Sequence, residues 1–301
     1  MAKEITRDEL SAAGVQYGHQ TKRWNPKMAP YIYGVKNKNH IIDLEKTIVQ
    51  LNAGQKLLEN LGTKQQKILF VGTKRTGKNA VKEAALRSGN FYINNRWLGG
   101  TLTNLKTILI RIKALWEIEE EEKKGRLALR PKKEQIKILK EKAKLEKSLG
   151  GIKQMHKLPA ALVVVDPKGD EIAVREAIKL KIPVIAICDT NADPDMVTVP
   201  IPGNDDLQEA VNIIINSLVE AYAEGAQIRM TPSVLKTVAP KREPRPERIR
   251  PEARPEAKSE ANKVEVEAKN QQVKTEVKKE LKSEAKTKAK SDSKPTQEVA
   301  K

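Results

Sequence analysis

The segment Gly72-Thr-Lys-Arg-Thr-Gly77-Lys78 has the spacing of a phosphate-binding loop. It follows an apolar run and opens a helical pattern, the setting that such a loop needs. Further on, Leu162-Val-Val-Val-Asp166 ends like a strand that presents an aspartate to magnesium. Together they spell a nucleotide hydrolase working through Lys78 and Asp166. Asn79 breaks the pattern, because the loop needs a Ser or Thr hydroxyl there to reach the metal. The plainer expectation is a strand-to-helix turn whose Lys74, Arg75 and Lys78 neutralise the phosphates of a polymer.

Asp189-Thr-Asn-Ala-Asp193-Pro-Asp195 begins like a calcium loop. Pro194 stands where that loop needs glycine, and Pro200 stands where it needs its terminal glutamate. These acids follow the carboxyl end of a strand, where open α/β sheets bind ligands. Turn formation and helix capping explain them at less cost, so no metal site is expected. His19, His40 and His156 accompany no evident nucleophile, and Ser11, Ser88 and Ser148 sit in no elbow motif. Cys188 ends an apolar strand and reads as core. The chain is therefore expected to be no enzyme, with no catalytic residue and no cofactor.

Two stretches combine cations with aromatic rings, amides and glycines. They are Tyr17–Met28 (YGHQTKRWNPKM) and Asn94–Thr101 (NNRWLGGT). Cations bind phosphates, planar groups stack on bases, and amides reach sugars or base edges. The expected RNA contacts are Lys22, Arg23, Trp24, Asn25, Lys27, Lys36, Lys38, Lys74, Arg75, Asn95 and Arg96. For Trp24 and Trp97, packing between elements competes with stacking on a base and is favoured.

These residues need a scaffold. A short helical pattern covers Glu4–Ala13. Tyr31–Val35 and His40–Asp43 flank a polar Lys36-Asn37-Lys38-Asn39 turn, a hairpin signal. A helix over Glu45–Leu61 should stop at Gly62. Strands over Lys67–Gly72, Phe91–Asn94, Ala161–Asp166, Pro183–Cys188 and Val197–Ile201 alternate with helices over Lys78–Arg87, Glu171–Leu180 and Asp205–Glu224. That alternation predicts a parallel sheet with helices on both faces, flavodoxin- or Rossmann-like. Between Thr101 and Gly150 no strand appears. Leu105, Leu109, Ile112 and Trp116 make a narrow apolar seam, Gly125 and Pro131 bracket a break, and a second helix runs from Lys132 to Leu149. The expectation is an antiparallel helical arm, with a coiled-coil seam, inserted in the sheet domain. The expected domains are residues 1–100 with 151–226 for the sheet, 101–150 for the arm, and 227–301 for a disordered extension.

Composition agrees. Of 301 residues, 57 are Lys or Arg and 39 are Asp or Glu, a net charge of +18. The segment 241–301 holds 18 basic and 12 acidic residues and no aromatic side chain, too polar to bury a core. The basic excess also runs through the folded part, which points to a nucleic-acid partner. One cysteine excludes an internal disulfide framework. No apolar run is long enough to span a membrane, and no signal peptide opens the chain. A cytoplasmic setting follows, with no membrane partner and no small-molecule substrate.

Seven stretches in order carry a resemblance. They are GHQTKRWNPKM at 18–28, NKNHIIDLEKT at 37–47, KILFVGTKR at 67–75, NNRWLGGTLTN at 94–104, SLGGIKQM at 148–155, IPVIAICDTNADPD at 182–195 and IPGNDD at 201–206. The chain resembles the bacterial small-subunit ribosomal protein number two family over about residues 4–226. The resemblance implies a parallel α/β domain with a coiled-coil arm and a non-catalytic role in the ribosome. It implies small-subunit ribosomal RNA as partner, recognised through shape and backbone. It also implies contact with neighbouring small-subunit proteins, including the large multi-domain one that brings messenger RNA.

Overall fold

In the computed structural model, residues 5–228 are described. The predicted extension from 227 onward lies outside them, save for its first two residues. Two sheets organise the chain. A small antiparallel sheet is made of β1 (Tyr17–Gln20), β2 (Ile32–Lys36) and β3 (Asn39–Ile42), in the order β1-β3-β2. A parallel sheet holds β4 (Leu69–Val71), β5 (Phe91–Ile93), β6 (Leu162–Val164), β7 (Val184–Cys188) and β8 (Val199–Pro202), in the order β5-β4-β6-β7-β8. Numbered within that sheet, the order is 2-1-3-4-5, the flavodoxin-like arrangement.

The central strands carry unbroken apolar runs because both faces are covered. Side chains alternate between two cores. Phe70, Val163, Val165, Ile185 and Ile187 join one core. Leu69, Val71, Leu162, Val164, Ala186 and Cys188 join the other. The first core is closed by α1 (Arg7–Ala12), α2 (Leu44–Thr63), α3 (Lys78–Ser88) and α7 (Gln208–Gly225). The second is closed by α6 (Glu171–Lys179), Met28, Trp97 and the roots of α4 (Leu105–Lys123) and α5 (Lys132–Leu149).

Local signals set the ends of these helices. Thr6 and Glu9 cap α1 reciprocally. Asp43 accepts from the Glu45 amide at the start of α2. Gly89, at φ +62°, closes α3 in the left-handed conformation. Gly62 is a correction to the sequence expectation, since α2 runs through it to Thr63. The glycine serves packing instead: a Cβ there would lie 2.4 Å from the Tyr222 carbonyl oxygen of α7.

The four-residue strand β1 was not expected, because YGHQ has no apolar alternation. Its tie is specific: the His19 amide donates to Asp189 Oδ1 at 3.2 Å and Thr190 Oγ1 at 3.0 Å. The hairpin between β2 and β3 pairs Lys36 with Asn39. Its two loop residues, Asn37 and Lys38, both have positive φ, at 52° and 65°. That is the signature of a type I′ turn, whose twist matches the strands.

Helices α4 and α5 run back along each other. Ile108 and Ile112 of α4 meet Leu149 of α5 at the sheet end, while Glu122 pairs with Lys142 further out. Arg130, in the turn between them, pairs with Glu121 and Glu134. The seam differs from the sequence expectation. Ile108, Ile112 and Leu115 are the buried residues of α4. Trp116 is 43% exposed, and Leu105 and Leu109 are only partly buried against the second core. The helix root packs on the sheet domain as well as on α5, which turns its buried stripe away from a two-helix seam. No helix among the described residues is long and apolar enough to cross a membrane.

Candidate nucleic-acid interface

Because the strands of the main sheet are parallel, all their carboxyl ends lie on one side. Lys74 and Arg75 follow β4 and Arg96 follows β5. Asp166 follows β6, Asp189 follows β7, and Asp205 and Asp206 follow β8. The rim is thus basic at the β5–β4 edge and acidic from β6 to β8. The small sheet is seated on the acidic half, through His19 to Asp189 and through the Asn25 amide to the Thr190 carbonyl at 2.7 Å.

This seating divides the predicted RNA contacts into two sets. Lys27 and Lys74 are committed within the chain. Lys27 Nζ lies 2.8 Å from Asp193 and 3.0 Å from Asp195, and those two carboxylates raise its pKa. Lys74 Nζ lies 2.8 Å from Asp205 and 2.7 Å from Asp206. Burial opposes the Lys74 charge, but the two carboxylates outweigh it and raise the pKa. Lys22, Arg23, Lys36, Lys38, Arg75 and Arg96 are exposed and form no ion pair among the described residues.

Four of the unpaired cations are brought together. The Thr21 amide donates to the Lys38 carbonyl at 3.0 Å, which places the Lys22-Arg23 turn against the hairpin tip that carries Lys36 and Lys38. Trp24 is 38% exposed, and its ring sits 5.0 Å from that of the buried His40, tilted by 38°. One face of the indole is therefore packed, and the remainder is open. Asn25 caps the following turn, its Oδ1 accepting from the Lys27 amide at 3.1 Å.

The second predicted stretch is organised by a carboxylate that sequence reasoning did not single out. Glu176 of α6 is buried and accepts five hydrogen bonds. The donors are Trp97 Nε1 at 3.0 Å, the amides of Gly100, Leu102 and Thr103 at 2.7, 3.0 and 3.0 Å, and Thr103 Oγ1 at 3.1 Å. Burial alone would raise its pKa, but these donors hold it below the ordinary glutamate value. Trp97 is thus a packing residue, as favoured from sequence. Asn95 Nδ2 donates to the Lys147 carbonyl at 2.7 Å, tying the loop to the end of α5. Arg96 projects from this anchored loop.

The phosphate-loop spacing has a structural cause. The Gly77 and Lys78 amides donate to the Lys74 carbonyl at 3.0 and 3.1 Å, and the Thr73 amide donates to Asp170 at 3.2 Å. Three amides of the loop are thus spent within the fold. A Cβ on Gly72 would meet Val81 at 2.7 Å, and one on Gly77 would meet Val165 at 3.0 Å, so close packing requires both glycines. Asp166 accepts from the Lys168 and Gly169 amides at 3.0 and 2.9 Å, as a turn-forming aspartate does. Asp193 likewise accepts from the Asp195 amide at 3.1 Å.

Residues 10–225 match the sequence model of the family described as Ribosomal protein S2. The chain belongs to that family. It is 84% identical over 245 residues to "Small ribosomal subunit protein uS2" of Mycoplasma capricolum, covering 81% of this chain and 84% of the relative. It is 76% identical over 241 residues to the protein of the same name from Mesoplasma florum, covering 80% and 91%. Ribosomal protein S2 is a structural family rather than an enzyme class.

One grouping was only partly visible: Asp189 was weighed from sequence, whereas His19, Asp205 and Asp206 were not joined to it. His19, Asp189, Asp205 and Asp206 each bring one nitrogen or oxygen atom to within 4.8 Å of the others. They come from β1 and from the ends of β7 and β8, so no sequence spacing links the first to the rest. The available signal was positional: Asp189 directly follows β7, and Asp205 and Asp206 come within four residues of the end of β8. The Asp189 carboxylate beside His19 raises the histidine pKa. Burial would raise that of Asp189, but contact with His19 and the Thr190 amide lowers it. Asp205 is pushed up to about 7 by burial, with Asp189 and Asp166 adding to it against the pull of Lys74.

Proposed function

We propose that this protein is a structural constituent of the small ribosomal subunit that binds ribosomal RNA through a patch made of Lys22, Arg23, Lys36 and Lys38. The observation that supports this is the backbone bond from Thr21 to Lys38, which sets the turn bearing Lys22 and Arg23 beside the hairpin tip bearing Lys36 and Lys38. Family membership supplies the partner class. Arg75 and Arg96, on the basic edge of the rim, add a second contact. Lys27 and Lys74 act indirectly, by locking the small sheet and the β4–α3 turn to the acidic rim. Trp24 offers its open ring edge to a base or sugar, and Asn25 and Asn95 shape the loops that carry the cations.

On this account residues 1–100 and 151–226 are the body, and 101–150 form a coiled-coil arm that reaches a second RNA or protein surface. Residues 227–301 are a basic extension adding weak affinity. The neighbours include other small-subunit proteins, among them the large multi-domain messenger-RNA-binding one, and the setting is the cytoplasmic ribosome. RNA is recognised by backbone and shape, so affinity falls steeply with salt.

The test replaces Lys22, Arg23, Lys36 and Lys38 by Ala and follows the tagged protein through sedimentation. The variant is expected to leave the small-subunit peak at a salt concentration that the native protein survives. Undiminished incorporation across the salt range refutes the patch.

A further inference from the structure

We infer, on the reading that this protein binds ribosomal RNA, that the outer face of α5 is a track for the phosphodiester backbone of an RNA strand. Lys82 of α3 continues the track across a cleft at the root of the arm. The partner of this face is therefore RNA and not protein.

The track begins as a pattern of spacing. Lys133, Lys137, Lys140, Lys144 and Lys147 recur at steps of four, three, four and three. At about 100° per residue they fall within an arc of about 80°, and no other residue of α5 falls in that arc. The row spans about 21 Å at about 1.5 Å per residue. All five side chains are exposed, and none is in an ion pair among the described residues. Gln135, Ile138, Lys142, Leu145 and Leu149 are buried or half-buried and mark the face turned to α4. That face lies about 150° round the helix from the row, so the lysines point away from the seam.

Such a row does not stabilise the arm. Like charges three and four apart on a helix repel, and a local conflict of this kind is expected at a functional surface. The carboxylates that could relieve it are used elsewhere. Glu117, Glu119, Glu120, Glu121 and Glu122 of α4 pair with Lys113, Lys153, Lys124, Arg130 and Lys142 respectively. Glu134 pairs with Arg130. Glu141 flanks the row and pairs with none of the five among the described residues. The negative charge of the arm holds its helices together, and one positive row is left over.

The chemistry of the row selects its occupant. Protein interfaces are depleted in lysine and centre on aromatic or aliphatic anchors, and this arc carries no apolar side chain. Evenly spaced ammonium groups suit the regular charges of a nucleic-acid backbone, which Lys and Arg bind without reading the bases.

The row also continues beyond the helix. Lys147 lines a cleft of about 280 Å³ with Lys82, Asn94, Asn95, Ser148 and Lys153. Lys153 is balanced there by Glu119 at 2.5 Å and by Glu146 at 3.8 Å. Lys82 and Lys147 are unpaired among the described residues and face one space from α3 and α5. Lys78 lies one turn before Lys82 on α3, which leads the track towards Arg75 and the basic edge of the rim.

The test titrates the full chain with small-subunit ribosomal RNA over a range of salt, and separately with polyglutamate as a probe for an acidic protein. Lys137, Lys140 and Lys144 are replaced together by Gln, which keeps the helix propensity of Lys. Lys82 and Lys147 are replaced by Gln in a second variant. The control replaces Lys56, Lys64 and Lys179 by Gln, three exposed lysines outside the arm. The row variant is expected to bind RNA about tenfold more weakly at low salt, with a logarithmic salt slope shallower by about two to three. The cleft variant should lose about one to two from the slope, and the control should stay near native. RNA binding unchanged in both arm variants, an equal loss in the control, or a row that captures polyglutamate and not RNA overturns the inference. The variant at Lys22, Arg23, Lys36 and Lys38 separates the two surfaces. A defect confined to it overturns the track alone, and a defect confined to the arm variants upholds the track without the hairpin patch. A native chain that binds no RNA overturns both.

Discussion

At the residue scale, the decisive fact is which charges have partners. Lys27 and Lys74 look like phosphate ligands in the sequence, yet their partners Asp193 and Asp205 stand 166 and 131 positions away. Nothing local announces such pairs, so the cluster of positive residues was legible and its division was not. Glu176 was equally hidden: an ordinary charged position in a helix became the anchor of a whole loop. Replacing it by Ala strands its donors and is expected to cost about 3 kcal/mol in denaturant unfolding. Glu176→Gln is expected to cost about 2 kcal/mol, since the amide keeps one acceptor. The folded-state pKa of Glu176 lies below its unfolded value. Its contribution is therefore complete above the ordinary glutamate range and is lost as pH falls through the depressed value. Unfolding measured down through the acid range should show native stability declining faster than that of Glu176→Gln.

At the element scale, alternation of apolar strands and helices made the parallel sheet readable, because buried parallel strands carry their pattern locally. The small sheet was half readable. Its hairpin announced itself through the Lys36–Asn39 turn, whereas β1 is held by Asp189 and Thr190 from far along the chain. The helix pair was readable in extent but not in rotation, because the sheet domain decides which stripe of α4 is buried. This has a measurable consequence. Ile112→Ala is expected to cost about 2–4 kcal/mol, while Ile110→Ala, at a side chain 67% exposed, should stay within about 0.5 kcal/mol of native. The hairpin tip gives a second contrast. Lys38 holds a left-handed conformation that glycine adopts without strain. Lys38→Gly should raise stability by up to about 1 kcal/mol and weaken RNA binding, moving the two properties in opposite directions.

At the scale of the whole molecule, the net charge of +18 is spread unevenly. The acidic half of the rim is used to hold the chain together, and six of the cations expected to meet RNA, Lys22, Arg23, Lys36, Lys38, Arg75 and Arg96, stand unpaired at the hairpin tip and the basic edge. Composition points to the kind of partner, and the fold separates the expected contacts that are paired within the chain from those that are not. Each phosphate contact removed should flatten the dependence of binding on salt by about 0.7–0.9 in the logarithmic slope. The most direct measurement is that slope for small-subunit RNA, compared between the native chain and the variant with Lys22, Arg23, Lys36 and Lys38 replaced by Ala. A slope shallower by about three, with folding intact, is predicted. An identical slope and identical affinity would contradict the account at its centre.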